Sequence, residues 1–158
     1  MKKQLLYLFL VITFISCSDN VKFNNPAFEG QKDNVFWRAV NAKASISAGG
    51  SLTIEAYTKN EVLTLKTTSI TVQTYPLGTS TSKIATYVLT GSNGATTFST
   101  GIGIGNGEIV IEEYDAINNT VTGTFKFNAV NSEISSSVGA ILNFQHGRFY
   151  KTPIVTSL

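Results

Sequence analysis

The chain of 158 residues contains one cysteine, one histidine, one tryptophan, one methionine and three prolines. Each scarcity excludes something. One cysteine, Cys17, forms no intrachain disulfide, and together with one histidine, His146, it falls short of the sets that hold structural zinc. A serine–histidine–aspartate relay has its residue types, with Asp33 or Asp115 as the acid, but no nucleophile elbow. A strand histidine near a turn is the simpler reading of His146. Charged residues are 14% of the chain, with no lysine-rich run, which argues against a nucleic-acid partner. The one adjacent acid pair, Glu112-Glu113, points to opposite faces if it lies on a strand, and so cannot flank a glycosidic bond. Asp115, Asn118 and Asn119 lack the spacing of a calcium loop and read as turn residues. Gly101, Gly103, Gly105 and Gly107 alternate, whereas a dinucleotide fingerprint needs G-x-G-x-x-G opening a helix. On a strand such glycines leave one face bare for close packing. The expectation is a non-enzymatic protein with no metal and no cofactor.

What is present begins at the N-terminus. Lys2 and Lys3 precede residues 5–15, apolar throughout except Thr13, and the run ends at Ser16-Cys17. A membrane-spanning helix needs about 20 apolar residues, so this run has the length of a signal-peptide core. No later stretch is apolar for long enough to span. Cys17 stands where cleavage falls. Two processing routes fit. In one, signal peptidase II cuts before Cys17 and its thiol carries diacylglycerol, which accounts for an otherwise unpaired cysteine. Ser16 and Ile15 suit that motif, and Phe14 departs from the usual leucine. In the other, signal peptidase I cuts after Ser18, with Ser16 and Ser18 as the small residues. Cleavage before Cys17 leaves 142 residues in which ten basic side chains balance ten acidic ones, because Lys2 and Lys3 leave with the signal.

The rest is rich in Thr, Ser, Gly and Asn and reads as strand after strand. Strands are expected at 35–40, 44–48, 51–57, 62–67, 69–75, 84–89, 98–104, 107–115, 120–129 and 140–150, with a loop at 132–139. Gly49-Gly50 marks a hairpin. In 120–129, Val121, Phe125, Phe127 and Ala129 share one face and Thr120, Thr122, Thr124, Lys126 and Asn128 the other. A three-residue loop with Asn119 left-handed would pair Ile111 with Phe125 and Ile109 with Phe127. Trp37, Phe36, Tyr57, Tyr75, Tyr87 and Phe98 are aromatics for a core or a binding face. No helical period occurs. The expected fold is all-β, an antiparallel sandwich or partly closed barrel of about eight to nine strands. The expected organisation is a signal peptide over 1–16, a flexible tether over 17–32 with Phe23 and Phe28 as points of attachment, and a β domain over 33–158.

A resemblance rests on the order of six motifs. They are Gln-Lys-Asp-Asn-Val-Phe-Trp-Arg-Ala at 31–39, Gly-Ser-Leu-Thr-Ile at 50–54 and Thr-Tyr-Pro-Leu-Gly at 74–78. Gly-Glu-Ile-Val-Ile at 107–111, Val-Thr-Gly-Thr-Phe-Lys-Phe at 121–127 and Asn-Phe-Gln-His-Gly-Arg-Phe at 143–149 follow. Together they resemble a family of small Bacteroidota, especially flavobacterial, lipoproteins catalogued only as a domain of unknown function. The resemblance implies an antiparallel β domain on an outer-membrane lipoprotein and carries over no catalytic residue. The functional expectation is an envelope protein anchored through Cys17, periplasmic or surface-facing, that binds a glycan or protein partner or acts as a scaffold. The alternative is a carrier of a small apolar ligand.

Overall fold

The computed structural model describes residues 26–92, 94–132 and 139–155. Cys17, Phe23 and most of the expected 132–139 loop lie outside them. The described chain is all-β and contains eleven strands: β1 (Ala27–Lys32), β2 (Val35–Arg38), β3 (Asn41–Ile46), β4 (Leu52–Tyr57), β5 (Glu61–Thr67), β6 (Thr74–Leu77), β7 (Ile84–Gly91), β8 (Gly94–Ser99), β9 (Asn106–Asp115), β10 (Thr120–Asn131) and β11 (Ile141–Pro153). Nine of them follow one another along a curled antiparallel sheet in the order β2-β1-β11-β10-β8-β7-β5-β4-β3, a half-barrel. β9 pairs with β10 off this path and β6 with β9. The curl brings the two ends together. The Val155 amide donates to the Ala44 carbonyl (2.8 Å), so Ile154 and Val155, just after β11, lie against β3.

Alternation sets the inward face. β4 alternates buried and half-buried positions, with Leu52, Ile54 and Ala56 inside. In β10, Val121, Phe125, Phe127 and Ala129 are buried as their period of two requires. Small residues (Ala44, Ala56, Ala85, Ala129) leave room for rings. Phe144 on β11 is the hub: its ring centroid lies 5.4 Å from those of Trp37 and Phe127 and 5.5 Å from that of Phe125. Trp37, Tyr75, Tyr87 and Phe98 are therefore core residues, Tyr57 is half-buried and Phe36 is exposed.

Several expectations need correction. The tether does not extend to residue 32. β1 begins at Ala27, pairs with β11 from Ala27–Tyr150 onward, and buries Phe28 against Phe125 and Phe149. Two phenylalanines in a polar stretch hid a strand whose partner lies over a hundred residues away. The expected strand at 69–75 is displaced to β6, which contains Pro76. Proline is tolerated there because β6 is an edge strand, bonded only to β9. β11 runs three residues beyond the expected end. Between Ser47 and Ser51 the hairpin uses three residues, with Gly50 left-handed (φ 82°), rather than two.

The β9–β10 register is also different. Asn119 is left-handed (φ 50°), but Phe125 faces Ile109 and Phe127 faces Gly107. A bulge at Glu112 inserts one residue beside Thr122–Gly123 and keeps Ile109 and Ile111 on the core face. Gly107 (φ 137°) is required where Phe127 crosses, since a Cβ there would enter the Lys126 carbonyl oxygen. The glycine run is a turn closed by Gly101 N–H to Ile104 O (2.8 Å) rather than a strand, and β8 ends at Ser99. Close backbone approach, the role expected for these glycines, does hold at Gly105 and Gly107.

Replacing the central ring tests the packing. Phe144→Ala should lower unfolding free energy by about 3–5 kcal/mol, read as a drop in the urea midpoint with the slope unchanged.

Candidate functional site

Two groups of charged side chains stand out, one inside the mouth of the half-barrel and one on its outer wall.

The inner group centres on Glu61, at the start of β5. The Thr58 amide donates to the Glu61 carbonyl (2.9 Å) and the Glu61 amide to Thr58 Oγ1 (3.1 Å), a turn that holds the carboxylate inward. Four donors reach that carboxylate. Lys32 Nζ donates to Oε1 (2.5 Å), as does the Tyr87 hydroxyl; Trp37 Nε1 (2.6 Å) and Thr58 Oγ1 (2.9 Å) donate to Oε2. Lys32 also donates to the Tyr87 oxygen (2.8 Å). Burial alone would raise the Glu61 pKa, but the four hydrogen bonds, Lys32 first, reverse that and hold it at about 2. Burial, and then the bond to Glu61, push the Tyr87 phenol far above its usual range, so it remains a donor. This group joins β1 and β2 to β5 and β7 across the interior. Every member is hydrogen-bonded to another. The sequence reading missed it. Its signals were local: Thr58-x-x-Glu61 at a turn, and a buried Trp and Tyr that each need an acceptor.

The outer group surrounds His146. β11 carries an extra residue there relative to both neighbours, between Phe125 and Phe127 on β10 and between Glu29 and Gln31 on β1. His146 takes the left-handed conformation (φ 51°), uncommon for a non-glycine residue and a feature that collects at functional positions. The bulge opens a cleft of about 480 Å³ lined by Glu108, Thr124, Lys126, Gln145, His146 and Arg148. Glu108 and Lys126 form an ion pair (3.0 Å) on its wall. Arg148 lies over the Tyr150 ring (5.4 Å) and has no carboxylate within 4 Å among the described residues. His146 and a carboxylate, Glu108, thus line the same cleft, and no serine is among its lining residues.

The remaining candidates are placed elsewhere. Asp115 Oδ1 accepts from the Ile117 and Asn118 amides (2.9 and 3.0 Å) and Oδ2 from Asn118 Nδ2 (2.6 Å), bonds that hold its pKa below the usual range. That is the expected turn chemistry. Glu112 and Glu113 are both exposed, not divided between two faces, because Glu112 is the bulge residue. Asp33, in the β1–β2 turn, accepts from the Asn143 amide on β11 (2.9 Å) and is not among the residues lining the His146 cleft. Cys17 lies outside the described residues.

Glu61 has a folded pKa of about 2 against an ordinary 4.5. Its contribution is therefore complete above about pH 4.5 and is lost as pH falls toward 2. Its size is on the order of 2 kcal/mol after allowance for partial solvent access. Glu61→Gln should destabilise by about 2–3 kcal/mol at pH 7, leaving Lys32 without its counter-charge. It should also flatten the acid limb of stability against pH, measured by urea unfolding from pH 2 to 7. His146→Gly should stabilise by about 1 kcal/mol in the same assay, since glycine adopts this backbone without strain.

No curated protein and no solved structure matches the chain. A family model described as Domain of unknown function (DUF6252) matches residues 24–153. The match takes in β1 as well as the strands after it, along with both charged groups, and the chain belongs to that family.

Proposed function

We propose that this protein is an envelope lipoprotein, held in the outer membrane by diacylglycerol on Cys17, whose β domain binds or scaffolds and is not an enzyme. The observation that carries the reading is Lys2-Lys3, the short apolar run and Ser16-Cys17 in succession. The domain's start suits a short tether. Residues 18–26 separate Cys17 from β1 and span at most about 30 Å when extended, so the half-barrel would stay close to the bilayer.

Three features support a non-catalytic role. The Glu61 carboxylate and Tyr87 hydroxyl are engaged with one another and with Lys32 and Trp37. Asp115 is held by its own turn. In the His146 cleft no hydrogen bond among the described residues joins His146 to the Thr124 hydroxyl or to the Glu108 carboxylate, as an activated nucleophile would require. The carrier alternative has less support, because the rings of Phe28, Phe125, Phe127 and Phe144 fill the interior that an apolar ligand would use.

Intact mass of the membrane fraction, with and without a signal peptidase II inhibitor, tests the anchor. Precursor should accumulate under the inhibitor, and without it the mature chain should begin at a lipid-modified Cys17. Cys17→Ser should abolish the lipid mass. A mature chain beginning at Asp19, with no precursor under inhibitor, would overturn the reading.

A further inference from the structure

We propose that the cleft at the His146 bulge, together with exposed Phe36, binds an acidic sugar: the oxyanion on Arg148, the hydroxyls on the cleft wall and a neighbouring ring on Phe36. This deepens the binding reading above by naming a ligand class and does not depend on the anchor.

The charge comes first. Of the cleft's two permanent cations, Lys126 is already paired with Glu108 and Arg148 is not paired with any described carboxylate. A guanidinium presents a planar fork of donors that matches a carboxylate or sulfate edge. The Tyr150 ring beneath it restricts where that fork points. Glu29, opposite Arg148 across β1–β11, is bonded to Arg38 instead (3.5 Å), so among the described residues Arg148 is left for one oxyanion. The polar wall comes second. Thr124, Gln145 and the Glu108–Lys126 pair offer donors and acceptors in close succession, the pattern that hydroxyl groups satisfy. A cleft of about 480 Å³ lies within the range of small-ligand sites, roughly 300–1,000 Å³.

The aromatic platform is a separate observation. Phe36 is 68% exposed, unlike its neighbour Trp37. It faces Gln31 across β1–β2, and Gln31 faces Gln145 across β1–β11. Residues opposite one another share a face, so Phe36, Gln31 and Gln145 form one outward row, with Phe36 about 10 Å from the cleft edge. A trisaccharide spans that distance, and the C–H face of its outer ring can pack on the aromatic. β2 is an edge strand, so nothing in the sheet lies beyond Phe36.

The test is a titration of the full-length protein in detergent, followed by amide NMR and calorimetry. The probes are the trimer of galacturonic acid, a sulfated galactose trimer and neutral maltotriose. An acidic trimer should bind at least tenfold more tightly than maltotriose and shift the amides of Thr124–Lys126 and Gln145–Arg148. Preference for the uronate assigns a carboxylate and preference for the sulfated trimer a sulfate ester. Arg148→Gln should weaken binding at least tenfold and Phe36→Ala several-fold. Lys43→Gln, distant on β3 and paired with Glu55 (3.4 Å), should leave it unchanged. Amide spectra of each variant report whether the fold is intact. Absence of binding by both acidic trimers at millimolar concentration, or unchanged binding in a folded Arg148→Gln, would overturn the proposal. Either result leaves the lipid-anchor reading untouched, since that is read by mass.

Discussion

A curled sheet must be held across its interior, and here one partly buried carboxylate does much of that. Glu61 receives hydrogen bonds from β1 (Lys32), β2 (Trp37), β7 (Tyr87) and its own turn (Thr58). Strands far apart in the sheet order thus meet at one pair of oxygens. Removing a carboxylate from water is unfavourable by several kcal/mol unless its lone pairs are satisfied. Satisfying them fixes the β1–β2 hairpin against β5 and β7 across the half-barrel. The seam at Ala44 and Val155 performs the corresponding closure through backbone alone.

Beneath that knot the rings decide the curvature. Phe144 contacts Trp37, Tyr87, Phe125 and Phe127, so β11 must approach both β10 and β1 closely. Gly147 makes the approach feasible, because a Cβ there would meet the Phe125 ring at 2.5 Å. The His146 bulge lies one residue before it. The cleft is therefore the outer consequence of inner packing. A strand bent to clear Phe125 on one face opens a concavity on the other.

Much of the fold was legible because the alternation in β4, β5, β7 and β10 is clean, and a one-residue slip there would expose Leu52, Ile54, Phe125 or Phe127. Asn119 announced its own backbone conformation. What was illegible depends on distant partners. β1 shows no alternation of its own until β11 is present to cover Phe28. The Glu112 bulge cannot be seen in β9 alone, since either register buries the same isoleucines. For the candidate site, His146 stands out in the sequence by rarity alone. Its left-handed backbone accompanies the close packing of Gly147 on Phe125, a residue of another strand. Glu61 looked like any acid beside a turn, because its four donors come from three other strands and that same turn.

The pairing of β1 with β11 has a temporal side. Ala27 is among the first described residues to be synthesised and Tyr150 among the last, yet they face one another. The sheet cannot close until β11 has been made. Topologies dominated by such distant pairs fold slowly, because the loop entropy is lost before the contacts return it. For a chain that crosses a membrane unfolded, as the lipoprotein reading entails, slowness is useful. On that reading, a half-barrel whose first strand waits for β11 would stay open during export and close once β11 has emerged.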